Sequence, residues 1–165
     1  MTRRRLLLLS VCAGALALAG CASPGPRQVD SDASGAWSGR LSLRIDSQPV
    51  QTFSALFELR GAPQAGELTL TSPIGNTLAQ LHWSPGEAVL RNGSDTRHYE
   101  SVDALIEAAT GAAIPVAALF GWLAGRSDRV SGWRPDLSQV GAGKLQATRE
   151  SPEPRADLRI VFERA

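Results

Sequence analysis

Apolar and polar residues take turns along most of this chain. Leu41, Leu43 and Ile45 alternate with Ser42 and Arg44, and Phe53, Ala55, Phe57 and Leu59 alternate with Ser54, Leu56, Glu58 and Arg60. Leu68 and Leu70 sit among Glu67, Thr69 and Thr71, and Ala79, Leu81 and Trp83 are separated by Gln80 and His82. Ala88 and Leu90 continue the pattern, and Leu158, Ile160 and Phe162 repeat it among Asp157, Arg159 and Glu163. A period of two places successive side chains on opposite faces of a strand, so each segment has one apolar and one wet face. Gly61-Ala62-Pro63, Ser84-Pro85-Gly86 and Asn92-Gly93 supply turn chemistry between the segments. Connections this short join antiparallel neighbours.

The rhythm breaks in the middle of the chain. Ser101 is placed to cap a helix that starts at Val102, with Asp103 in its first turn, Leu105, Ile106 and Ala109 on one face and Gly111 as a stop. Pro115 suits the first turn of a second helix running through Ala124, with Gly125 just past its end. Val116, Leu119, Phe120, Trp122 and Leu123 make this second helix apolar nearly all round, so it requires cover on more than one side. Residues 127–140 read as irregular. The fold class expected is mainly β with helices (α+β), a curved antiparallel sheet whose concave side the helices close. The pattern is compatible with a solid interior and with a hollow one, and the close packing usual in protein cores favours the solid one.

The first 20 residues do not belong to that pattern. Arg3, Arg4 and Arg5 precede an apolar run through Ala19, and Leu18-Ala19-Gly20 ends it in small residues before Cys21. A short apolar stretch with basic flanks and a small-residue exit reads as a secretory signal. A cysteine directly after it reads as a bacterial lipobox, with cleavage before Cys21 and lipid on its thiol. Of 165 residues, 145 would remain, and the cationic count would fall from 17 to 14 against 16 acidic residues, a net charge of −2. Ala22 and Ser23 follow the cysteine, and the lack of an Asp there favours the outer membrane. Residues 21–35 carry almost no large apolar side chain and read as a lipidated flexible tether, leaving 36–165 as a single folded domain.

Little catalytic material is available. Two histidines and two cysteines, one of them (Cys12) inside the signal, leave no zinc set and no disulfide framework in the mature chain. A near-neutral charge gives no pull toward nucleic acid. Gly141-Ala142-Gly143-Lys144 resembles a phosphate loop, but Ser138 stands where the first glycine belongs and Leu145 follows the lysine. There is no nucleophile elbow. Asp95 and His98 read as residues of a polar turn, and His82 falls on the wet face of its strand. No metal ligands, cofactor or catalytic residues are expected apart from covalent lipid on Cys21.

The segment Leu70-Thr71-Ser72-Pro73-Ile74-Gly75-Asn76-Thr77 is more informative. Pro73 suits the second position of a type I turn and Gly75 the fourth, which puts Ile74 near the tip of a loop between strands. A branched apolar residue there either folds back on the core or is offered to lipid or a partner.

Taken in order, the lipobox, Gly39-Arg40-Leu41-Ser42, Leu70 to Thr77, and Ile114-Pro115-Val116 with Leu119, Trp122, Leu123 and Gly125 resemble the LolB family. The resemblance runs from about Trp37 to Leu123, and the last strand around Leu158 to Phe162 still fits. It implies an unclosed β-barrel with an α-helical lid over an apolar cavity. It implies a non-enzymatic outer-membrane lipoprotein, anchored by lipid and facing the periplasm. Such a protein takes acylated lipoproteins from the periplasmic carrier LolA and inserts them into outer-membrane phospholipid, working as a monomer. On this reading Ile74, flanked by Pro73 and Gly75, forms a membrane-insertion loop. Leu41, Leu43, Phe53, Phe57, Leu68, Leu70, Leu81, Trp83, Leu119, Trp122 and Leu123 are the candidate cavity lining. The same residues suit a packed core as well, and a structural or envelope-assembly lipoprotein with a protein-binding surface is the alternative. A hydrolase of envelope material lacks its nucleophile.

Overall fold

The computed structural model describes residues 34–110 and 112–165. Cys21, the signal segment and nearly all of the tether lie outside the described residues. The elements are β1 (Gly35–Ile45), β2 (Gln51–Ala62), β3 (Ala65–Thr71), β4 (Thr77–Ser84), β5 (Glu87–Asn92), β6 (Asp95–Tyr99), α1 (Val102–Thr110), α2 (Val116–Leu123), β7 (Trp133–Asp136), β8 (Lys144–Arg149) and β9 (Ala156–Arg164). A short 3-10 turn spans Val140–Ala142.

All nine strands form one sheet in the order β6-β5-β4-β3-β2-β1-β9-β8-β7. Every neighbouring pair is antiparallel. The first and last strands pair with each other, so two meanders become one surface. β6 and β7 are edges and do not pair, which leaves the sheet unclosed. This is the open antiparallel sheet with two helices that the alternation and the helical segment predict.

One face of the sheet is buried. Leu43 and Ile45 on β1, Phe57 and Leu59 on β2, Leu81 and Trp83 on β4, and Leu158 and Ile160 on β9 all lie in the core. Helix α2 packs onto this face with Phe120 and Trp122 fully buried. The Phe120 ring meets Trp37 edge-on at 5.5 Å and Trp83 at 6.2 Å. Edge-to-face pairs of this kind contribute about 0.5–1.5 kcal/mol beyond their buried area. Three of the four indole N–H groups find carbonyls: Trp83 donates to Ala62 O and Pro63 O, Trp122 to Asp128 O, and Trp133 to Ala113 O, while the buried Trp37 Nε1 has no partner among the described residues. Helix α1 starts as expected, with the Ala104 N–H donating to Ser101 Oγ at 3.2 Å. The Val116 N–H donates to Asp103 Oδ1 at 3.1 Å, which ties the start of α2 to the start of α1.

Two expectations change. Asp95 and His98 lie on strand β6, not in a turn; the turn itself is Gly93-Ser94. The irregular stretch contains β7, a four-residue edge strand with Pro135 inside it. Both strands escape a period-two reading because edges need no apolar face, and proline is tolerated there. Gly141 and Ala142 belong to the Val140–Ala142 3-10 turn and Lys144 opens strand β8, so the helix that a phosphate loop requires does not follow, in keeping with the sequence reading.

Gly39 shows why the Gly39-Arg40-Leu41-Ser42 motif opens with glycine. A Cβ at this position would run into the backbone of β9, at Val161 O and Phe162 Cα. Gly39→Ala should destabilise the domain by about 1–3 kcal/mol through overpacking at the β1–β9 seam, read as a lower urea midpoint. Phe120→Ala should cost more, about 3–5 kcal/mol, because it empties the contact between α2 and two tryptophans; equilibrium unfolding checks it.

Candidate functional site: a groove with one apolar wall and an exposed apolar loop

Helix α2 fills the interior at the end of the sheet where Trp37 and Trp83 lie. The other end carries the β1–β2, β3–β4 and β5–β6 connections and is less completely filled. Helix α1 covers this region with few large side chains: Leu105 and Ile106 are buried, while Ala108 and Ala109 remain exposed. A groove of about 430 Å³ results. Its apolar wall is Phe53 on β2, Leu70 on β3, Leu78 and Ala79 on β4, Leu90 on β5, Tyr99 on β6, and Ala108 and Ala109 on α1. Thr77, Asn92, Asp95 and Arg97 are its polar lining, three of the four from the β5–β6 hairpin. The volume falls within the range of ordinary ligand sites, about 300–1,000 Å³.

Among the candidate lining residues, Phe53 and Leu70 face this groove. Leu43, Phe57, Leu68, Leu81, Trp83, Trp122 and Leu123 are buried in the packed core, and Leu41 and Leu119 are half-buried against it. The space therefore lies under α1 and not under α2. Sequence reasoning missed Leu78 for a local reason. The β3–β4 register shifts between Leu70, which faces Ala79, and Thr71, which faces Thr77. Leu78 is the extra residue, and a bulge of this kind re-aims a side chain that strict alternation would send outward. Ala108 and Ala109 line the groove by being small, a property no apolar count singles out.

The loop from Ser72 to Asn76 leads into Thr77, which lines the groove. It is held by its own polar atoms: Gly75 N–H donates to Ser72 O at 2.9 Å, Ser72 N–H to Asn76 O at 2.8 Å, and Asn76 N–H to Ser72 Oγ at 3.0 Å. Gly75 has φ +90°, a conformation that favours glycine. Pro73 and Gly75 are exposed, and Ile74 at the tip is 84% exposed. The side chain does not fold back on the core.

The residues weighed as chemical candidates are dispersed. His98 Nδ1 lies 3.2 Å from Glu87 Oε1, and His82 Nδ1 lies 3.8 Å from Glu67 Oε2, both pairs well exposed. Two pKa shifts lie on the strands away from the groove. Hydrogen bonds from Ser138 hold the Asp136 carboxyl below its ordinary value, and the Asp46 carboxylate raises the Arg44 guanidinium. Among the described residues, no group of three or more His, Cys, Asp or Glu side chains is arranged to hold a metal, and no helix is long and apolar enough to cross a membrane.

A family profile described as outer membrane lipoprotein LolB matches residues 36–157, from β1 into β9. The chain belongs to the LolB family. The match continues past the helices, through β7 and β8. Curated relatives named outer-membrane lipoprotein LolB agree. The one from Bordetella petrii is 32% identical over 87% of this chain and 85% of its own length. That from Cupriavidus necator is 36% identical over 86% of this chain and 75% of its own. That from Chromobacterium violaceum is 34% identical over 74% and 68%.

If the groove takes apolar ligands, filling it should remove them. Ala109→Trp places an indole between α1 and the sheet. It should weaken binding of a fluorescent fatty-acid analogue about tenfold or more, while near-ultraviolet circular dichroism shows the fold intact.

Proposed function

We propose that this chain is an outer-membrane receptor that accepts lipoproteins in the groove beneath α1 and passes their acyl chains to the membrane. The single observation that carries this reading is an unfilled groove, with one apolar wall and one polar side, ending beside a loop that holds an exposed isoleucine. An acyl chain has on the order of 15 methylenes, and leaving it in water costs about 0.8 kcal/mol for each, or about 12 kcal/mol per chain. Such cargo needs cover until it reaches lipid. Phe53, Leu70, Leu78 and Leu90 offer that cover, and the hairpin residues Asn92, Asp95 and Arg97 face the polar end of the cargo.

The donor is the periplasmic carrier LolA, and the acceptor is outer-membrane phospholipid. Cys21 carries the lipid that anchors the receptor, facing the periplasm. The transfer uses no cofactor and no catalytic residue. Cargo moves down a gradient of affinity, from carrier to groove to bilayer. Ile74 makes the last step local. Burying its side chain in lipid is favourable by about 1.5–3 kcal/mol, enough to place the mouth of the groove against a membrane but too little to hold it there. Ser72 and Asn76 satisfy the loop's backbone internally, so inserting the tip strands few polar groups in hydrocarbon.

Two experiments test this. Ile74→Glu should accept a lipoprotein from the carrier at the wild-type level and fail to deliver it to liposomes. Delivery at the wild-type rate would take Ile74 out of the mechanism. Depletion of the protein in cells should leave other lipoproteins in the periplasm or inner membrane, and their normal arrival at the outer membrane would overturn the reading. In that case the packed core and exposed sheet face would fit the structural lipoprotein instead.

A further inference from the structure

Arg149 is a buried cation with little to balance it. It ends β8 on the inward face, in line with Leu145 and Ala147, and only 5% of its surface is exposed. One terminal guanidinium nitrogen donates to Pro154 O at 2.9 Å. The guanidinium carbon stands 5.9 Å from the centre of the Trp133 ring. The Nε atom is buried and has no hydrogen-bond partner among the described residues. None of the ion pairs among those residues includes Arg149. Guanidinium presents five donors in a fixed fork, and taking it out of water without a counter-charge is unfavourable.

Arg149 also lines a small cleft of about 170 Å³, which shares no lining residue with the groove under α1. Ile114, Pro115, Val130, Trp133 and Pro152 give it apolar walls. Asp103 also lines it, with Oδ1 already accepting from the Val116 N–H. The geometry points to a binding site for a monocarboxylate, whose oxygens accept from Arg149 while a short apolar body lies against Trp133 and Ile114. A carboxylate matches the planar fork of arginine. A phosphate dianion fits less well, because Arg149 is the one cationic residue that lines the cleft among the described residues and Asp103 adds a negative charge. The carboxylate belongs either to a small free acid or to a polypeptide, at its C-terminus.

The test uses the full mature chain in detergent, followed by tryptophan emission and melting temperature. It is titrated with acetate, with acetyl-trialanine bearing a free C-terminus, and with the same peptide amidated, each against chloride at equal ionic strength. At least one carboxylate should bind saturably at millimolar concentration, and the amide should not. Acetate binding as tightly as the peptide assigns the site to small free acids, and a peptide about tenfold tighter assigns it to polypeptide carboxylates. Arg149→Met should weaken binding about tenfold or more, and Arg149→Lys should weaken it less. Should Arg149→Met fail to fold, Ser131→Glu decides. Ser131 is exposed at the cleft, and a glutamate there should supply the carboxylate from within, raise the melting temperature and abolish the response to acetate. No saturable response to either carboxylate, or one that survives both Arg149→Met and Ser131→Glu, overturns the proposal.

Discussion

Phe120 lies between Trp37 and Trp83, and most of the structure depends on that contact. Helix α2 is apolar on nearly every side and short, so it has no stability of its own. The two indoles give it a fixed seat on the sheet, and the sheet in turn has its buried face covered there. Because the bulk of α2 is concentrated at that end, the opposite end is left to α1. A helix with two large buried side chains and two exposed alanines covers the sheet without filling the space beneath it. The groove is thus a consequence of where large and small residues sit on the two helices.

The strands were the most legible part of the fold in sequence. β1 to β5 and β9 alternate because each has one face in the core and one in water, and that requirement is written residue by residue. β6 and β7 were invisible as strands because edge strands are constrained mainly by hydrogen bonding, which leaves no mark on side-chain polarity. The helices were legible from Ser101, Pro115 and Gly125, residues whose backbone preferences act locally. The groove was less so. Alternation says that Leu43, Phe57 and Leu81 point inward, but not whether they meet another side chain or empty space. That is decided by α2, which lies more than thirty residues further along the chain. Leu78 was hidden by a bulge, and a bulge is a property of a strand pair.

The loop at Ser72 to Asn76 and the cleft at Arg149 are opposite departures from the usual rule of apolar inside and charged outside. Ile74 is an apolar side chain held in water by a turn whose hydrogen bonds are all internal. Arg149 is a cation held inside by Trp133 and one carbonyl. Each disagreement between residue type and environment costs stability, and each sits where an outside molecule could relieve it. The outer strands show no such conflict: His98 with Glu87 and Arg134 with Glu150 are ordinary solvated pairs.

The strand register also sets a mechanical relation between anchor and loop. Gly35, where β1 begins, faces Gly61 at one end of the sheet, while Ile74 caps the connection at the other. β1 has 11 residues, so the two points stand on the order of 35 Å apart along the strands. The 14 residues from Cys21 to Ser34 span at most about 50 Å when fully drawn out. On the function proposed above, with lipid at Cys21, that reach would exceed the length of the domain only slightly. Ile74 would then face the periplasm when the domain stands upright on its attachment and the bilayer when it tips over, so that capture and delivery would be two orientations of one domain.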